Sequence, residues 1–187
     1  GAVRGAEMLI GPVASLLMGI SQVAVPEAVR ARANGRSSLE RLCRALSGGL
    51  AAVALMWGAL VFVVLPHGLG DRLLGEVWPS AHSLLPAVII GATAGCLHVG
   101  PSAGLRALGR ADLTLRMQVL VTSTYAVLGT AGAAAGGAGG MVWGTATASC
   151  LGAVAWWLAL DRAARAALPL PPATALVEPE EVDDRVG

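Results

Sequence analysis

The stretch Met117–Leu160 reads MQVLVTSTYAVLGTAGAAAGGAGGMVWGTATASCLGAVAWWLAL and contains no Asp, Glu, Lys or Arg. A membrane-spanning helix needs about 20 predominantly apolar residues, so this run is long enough for two crossings. Four glycines within positions 136–140 lie in its middle, where clustered glycines favour a turn. The run therefore predicts a helical hairpin with spans at residues of about 116–136 and 140–161.

Three further apolar stretches precede this hairpin, and each is long enough to cross a bilayer. They predict spans at residues of about 7–28, 45–66 and 84–105. The chain is 55% hydrophobic and 13% charged, with a mean hydropathy of +0.68. Since a soluble domain carries about 25% charged residues, this composition favours a membrane protein. We expect an all-α integral membrane protein whose residues 1–166 form a bundle of five transmembrane helices.

The C-terminal segment, residues 167–187, has a different composition. It is rich in proline and then in acidic residues, and it offers little apolar surface to bury. Such a segment does not gain enough from burial to become ordered. The sequence therefore predicts a disordered tail, on the cytoplasmic side by the argument that follows.

The arginines are distributed unevenly between the predicted connections. Lysine is absent, and five predicted spans place three arginine-rich segments on the same side of the membrane. Cytoplasmic segments carry an excess of Lys and Arg, so we expect these three in the cytoplasm and His67–Ser83 outside it. We interpret the loop Arg30–Arg44 as a determinant of topology, with binding of anionic membrane lipids as the alternative. The arginines concerned are Arg30, Arg32, Arg36, Arg41, Arg44, Arg106, Arg110, Arg116, Arg162 and Arg165.

Small and polar residues recur at steps of three and four on four of the spans, which keeps them on one helix face. Such faces let helix backbones approach closely, and hydroxyls bond across the contact. Helix packing is one interpretation, and a polar cavity is the other. Pro101 is expected to bend the third span beside this face. The candidate residues of a substrate path are Gln22, His98, Ser102, Arg106, Thr122 and Tyr125.

No catalytic or metal-binding pattern is present in the sequence. It has no H-E-x-x-H motif, no glycine-rich phosphate loop and no pair of carboxylates within a span, and its three cysteines form no C-x-x-C pair. Glu7 and Glu27 lie near span ends, where an interfacial position is the simpler interpretation. We therefore expect no enzymatic activity, no metal, no cofactor and no nucleic-acid partner.

Four short motifs carry a resemblance to a known family. They are Val25-Pro26 before the arginine-rich loop, LLGEVW at 73–78, LRALGR at 105–110, and VWGTA at 142–146. In this order and spacing they resemble the C-terminal part of the polysaccharide flippases, of the O-antigen and capsule type. These flippases belong to the multidrug/oligosaccharidyl-lipid/polysaccharide exporter superfamily. The likeness covers residues from about 6 to 161.

The resemblance implies the last five helices of a twelve-helix exporter with two bundles. Such exporters move a lipid-linked oligosaccharide outward by alternating access, in the biosynthesis of cell-surface polysaccharides such as lipopolysaccharide. Because the sequence starts with Gly1 and matches one bundle, we expect an incomplete fragment whose partner is the N-terminal helix bundle of the same protein. A multidrug/cation antiporter of the same superfamily is one alternative, and it would need an acidic residue inside the bundle. A non-transporting membrane scaffold subunit is the other.

Overall fold

The computed structural model describes residues 2–65, 70, 72 and 75–166, and the regular structure in these ranges is entirely helical. The predicted tail and part of the predicted outer segment, including His67, lie outside the described residues. A 3-10 turn at Gly75–Val77 precedes the third of the five helices whose bounds lie within the described ranges. The helices are α1 (Ala2–Ala33), α2 (Arg36–Val64), α3 (Trp78–Leu97), α4 (Val99–Ala107) and α5 (Ala111–Ala166).

Three helical segments among the described residues are long and apolar enough to cross a membrane. They are α2, the nearly continuous pair α3–α4 (Trp78–Ala107), and α5. These segments indicate that the chain is a membrane protein. Helix α5 has 56 residues. As one straight helix it would extend about 84 Å, whereas a bilayer core is only about 30 Å thick.

Helix α5 is therefore interrupted, and the interruption lies at the glycine cluster. Gly136 and Gly137 have non-helical backbone angles, and Gly137 has φ +60° and ψ −141°. Glycine adopts this positive-φ conformation readily because it has no Cβ. The chain reverses direction here, which divides α5 into a first arm (111–135) and a second arm (138–166).

The two arms of α5 pack closely against each other in antiparallel directions. Gly132 and Gly140 approach so closely that a Cβ on either would overlap the other's backbone. Further along, the Tyr125 hydroxyl is hydrogen-bonded to the Ser149 hydroxyl. The small and polar stripes of the two arms thus face each other, as the packing interpretation requires.

The α3–α4 segment forms the centre of the bundle, since it packs against α1, α2 and α5. Two of the buried clusters meet on it. One joins α4 to the second arm of α5 through Leu105 and Trp156. The other joins α3 to α2 through Leu85 and Leu50.

The three arginine-rich segments meet at one end of the bundle. Arg32 at the end of α1 donates from Nη1 to the Ala107 carbonyl at the end of α4, at 2.7 Å. Arg36 at the start of α2 lies 3.8 Å from the Asp161 carboxylate near the end of α5. The glycine turn and the first turns of α3 lie at the opposite end. The structure thus has one arginine-rich end, as the parity of the predicted spans requires.

Candidate functional site

The central helix is broken in the middle of the bundle. Helix α3 ends at Leu97 and α4 begins at Val99, with His98 between them. In a continuous helix the nitrogen of Pro101 would donate to the Leu97 carbonyl, but proline has no N–H and its ring crowds that carbonyl. The bend expected at Pro101 therefore appears as a break three residues earlier, and it frees the Leu97 carbonyl.

Neighbouring helices satisfy the backbone groups at this break. The Leu97 carbonyl accepts hydrogen bonds from Ser47 Oγ at 2.9 Å and from Trp157 Nε1 at 3.0 Å. The N–H of Gly100 donates to the same Ser47 hydroxyl at 3.0 Å. A Cβ at Gly100 would overlap the Cys43 carbonyl, so only glycine lets α4 come this close to α2. The break is thus braced by α2 and by the second arm of α5.

His98 has an unused polar atom at this break. Its side chain is half-buried, and Nε2 is enclosed without a hydrogen-bond partner among the described residues. An unsatisfied buried polar group costs about 1–3 kcal/mol, so this nitrogen lowers the stability of the described bundle.

The other two candidates on this segment have different surroundings. The Ser102 hydroxyl donates to the Val99 carbonyl of its own helix at 2.9 Å. Arg106 is exposed in the last turn of α4, at the arginine-rich end. The three candidates of the third span are therefore distributed from the middle of the bundle to its end, and His98 alone among them has an enclosed polar atom without a partner.

A cavity of about 310 Å³, with a mainly apolar wall, lies toward the glycine-turn end of the bundle. Residues of α1, α3 and both arms of α5 line it, and their polar members are Glu7, Tyr125, Thr145 and Ser149. Tyr125 is thus one of four polar residues on the wall of this partly open cavity. Glu7, which the sequence places near a span end, shares that wall.

The hydrogen bonds around the cavity leave acceptor atoms facing it. Ser149 Oγ lies 3.0 Å from the Thr145 carbonyl, which accepts a hydrogen bond from it, and it is also hydrogen-bonded to the Tyr125 hydroxyl. Thr145 donates its own hydrogen to the Val142 carbonyl at 2.9 Å. Lone pairs of these hydroxyls and the Glu7 carboxylate are acceptors on the cavity wall. Such a wall suits a cation or a ligand rich in hydrogen-bond donors.

The remaining candidates do not join this cavity. Thr122 is exposed on the first arm of α5 and is not part of the cavity wall. The side chain of Gln22 lies outside the described residues, so its predicted position stays a prediction. His98, Ser102 and Arg106 do not line the cavity either.

The sequence does not predict the roles of two residues of this site, Ser47 and Glu7. Ser47 is one polar residue in an apolar span, and its partners are 50 and 53 residues away in the chain. The missing N–H of Pro101 does indicate that some donor must reach Leu97, but not which one. The position of Glu7 depends on how α1 packs against α3 and α5.

Comparison of the chain with protein-family models, with curated proteins and with solved structures finds no match. The flippase resemblance therefore rests on the motifs of the sequence.

Proposed function

We propose that this chain is part of a membrane transporter, a flippase for lipid-linked oligosaccharide in bacterial cell-surface polysaccharide biosynthesis, rather than an enzyme. The observation that carries the proposal is the acceptor-lined cavity inside apolar, membrane-length helices. Sugar hydroxyls are hydrogen-bond donors, and the lone pairs of Tyr125 and Ser149 complement them. The braced break at His98 supports the same function, since interrupted helices recur where transporters bind their substrates.

The size of the cavity supports a second bundle in the working transporter. Ligand clefts hold roughly 300–1,000 Å³, and at about 310 Å³ this one is at the lower limit. A lipid-linked oligosaccharide head group needs more room. We infer that an N-terminal bundle of the same protein completes the path, against faces such as that of α1, where Met18 is 74% exposed.

The proposed topology has five crossings in the bacterial plasma membrane, with α1, α2, α3–α4 and the two arms of α5 each crossing once. The arginine-rich end and the tail then lie in the cytoplasm, by the positive-inside rule. The cavity lies in the half of the bundle nearer to the outer face.

The test uses the complete gene product that carries this chain, in cells that depend on it for polysaccharide export. Tyr125→Phe and Ser149→Ala remove hydroxyls from the cavity wall, and we expect export to fall several-fold at unchanged protein abundance. Thr147→Ala is the matched control, because Thr147 is exposed and bonds the Trp143 carbonyl of its own helix. Normal export by both cavity variants would contradict the proposal, as would a loss explained by lower abundance.

Glu7 favours one second candidate, a multidrug/cation antiporter. Glu7 is exposed and lines the cavity from near the end of a predicted span, where a carboxylate can bind a coupling cation. Glu7→Gln keeps a carbonyl acceptor for sugar hydroxyls but removes the charge. A flippase should therefore retain most of its polysaccharide export in this variant, whereas an antiporter should lose efflux of a cationic dye.

A further inference from the structure

A groove lies between the first turns of α2 and the second arm of α5. Its volume is about 430 Å³, within the range of ligand clefts. Val154 and Trp157 belong to its apolar wall, and Glu40, Arg44 and Asp161 lie on its border. Because an α-helix rises about 1.5 Å per residue, the groove extends about 10 Å from Asp161 to Val154 along α5. It therefore leads from the arginine-rich end toward the middle of the bundle.

Glu40, Arg44 and Asp161 are the charged residues that line this groove, and together with their ion-pair partners Arg36 and Arg165 they form a cluster of net charge +1, three arginines against two carboxylates. The Glu40 carboxylate lies 2.7 Å from Arg36 Nε and 3.3 Å from Arg44 Nη2. The Asp161 carboxylate lies 2.6 Å from Arg165 Nη2 and 3.8 Å from Arg36 Nη2. Two carboxylates are thus shared among three guanidinium groups. The Arg44 side chain is 68% exposed, so most of its N–H donors remain for an anion.

The groove wall is held in a fixed position. Trp157 donates its indole N–H to the Leu97 carbonyl at 3.0 Å, which orients the ring as part of the wall. A tryptophan ring near the membrane interface packs against acyl chains while its N–H is satisfied elsewhere. An apolar channel with a cationic entrance matches a lipid that has an anionic head group.

We propose that this groove binds one anionic glycerophospholipid, with its phosphate at Arg44 and an acyl chain along Trp157 and Val154. Arginine forms charge-assisted, often bidentate hydrogen bonds to phosphate, and no choline cation opposes them in an anionic head group. The proposal goes beyond the proposed function, because it requires only that the arginine-rich end lie at a membrane surface. It holds whether the chain transports a sugar, a cation or nothing.

The experiment measures quenching of tryptophan fluorescence in the full chain, reconstituted in phosphatidylcholine vesicles with increasing brominated phosphatidylglycerol. Bromine quenches at short range, and Trp157→Phe identifies the part of the signal that comes from the groove. Arg44→Ala is compared with Arg41→Ala, which lies on the same helix, is exposed, and does not line the groove. The two variants have the same net charge, so the diffuse electrostatic attraction to the anionic bilayer is the same for both. It does not contribute to the difference between their affinities.

We expect Arg44→Ala to bind brominated phosphatidylglycerol roughly tenfold more weakly than Arg41→Ala does, because only Arg44 donates charge-assisted hydrogen bonds to the phosphate. Val154→Phe, which fills the groove without changing its charge, should lower the Trp157 quenching as well. Equal affinities of the two arginine variants would overturn the proposal. Equal quenching of the wild-type chain by brominated phosphatidylcholine would overturn it too.

Discussion

At the scale of single residues, the contact between Gly100 and the Cys43 carbonyl is one of the closest backbone contacts in the bundle. The opposing atom belongs to a backbone, which cannot rotate away as the end of a flexible side chain can. A Cβ at position 100 would overpack this contact, which costs about 1–3 kcal/mol. It would also separate Ser47 from the helix break. Replacement of Gly100 should therefore affect folding more than replacement of a glycine with open space around it.

Gly100→Ala should lower the free energy of unfolding in detergent micelles by about 1–3 kcal/mol. Gly95→Ala is the matched control, because no atom lies within 4 Å of a Cβ built at Gly95. Since alanine favours helices over glycine by up to about 1 kcal/mol, this control should be neutral or stabilising. Equal destabilisation by the two substitutions would contradict the described packing of α4 on α2.

Residues also differ in how well the sequence predicts their roles. Tyr125 could be predicted as a polar candidate because it belongs to a stripe with helical spacing. Arg32, in contrast, satisfies the Ala107 carbonyl 75 residues away, and no local pattern indicates that pairing. No local pattern indicates the position of Glu7 either, since its place on the cavity wall depends on contacts between helices.

At the scale of elements, the division of α5 into two arms decides how many times the chain crosses the membrane. The sequence predicts this division because the glycines interrupt an uncharged run that is too long for one span. The sequence also predicts a bend at Pro101. The position of the break, at His98, depends on which carbonyl the proline leaves without a hydrogen bond. The donors that then brace the break come from other elements, so helical periodicity does not identify them.

The packing of the two arms can be tested with a pair of cysteines. A Cβ built at Gly129 has only the Thr145 methyl carbon within 4 Å, at 3.2 Å, so the Thr145 Cβ lies just beyond 4 Å, near the upper end of the range of about 3.5–4.5 Å that a disulfide needs. Gly129→Cys with Thr145→Cys should therefore cross-link on mild oxidation, in a Cys150→Ser background that removes the exposed native thiol.

The control pair combines Gly129→Cys with Thr147→Cys, because Thr147 is exposed on another face of the second arm. A protease site inserted at the glycine turn would separate the arms on a reducing gel and hold them together when the disulfide is present. Cross-linking of the control pair alone, or of neither pair, would show that the arms do not pack as described.

At the scale of the whole molecule, charge and connectivity point to the same arrangement. The three arginine-rich segments are distant in sequence, yet contacts such as the one between Arg36 and Asp161 bring them to one end. The glycine turn lies at the other end. An asymmetry of this kind fixes the orientation of a helical bundle in a membrane. The flippase proposal requires the arginine-rich end at the cytoplasmic surface, and the lipid-binding groove requires it at a membrane surface.

Labelling of single cysteines in intact cells tests this central claim most directly, again in the Cys150→Ser background. Ser37→Cys reports on the arginine-rich end and Ala138→Cys on the glycine turn, and both positions are exposed. A membrane-impermeant maleimide should label Ala138→Cys in intact cells, and Ser37→Cys only after the membrane is permeabilised. Labelling of Ser37→Cys in intact cells, or of both positions from the same side, would contradict the account.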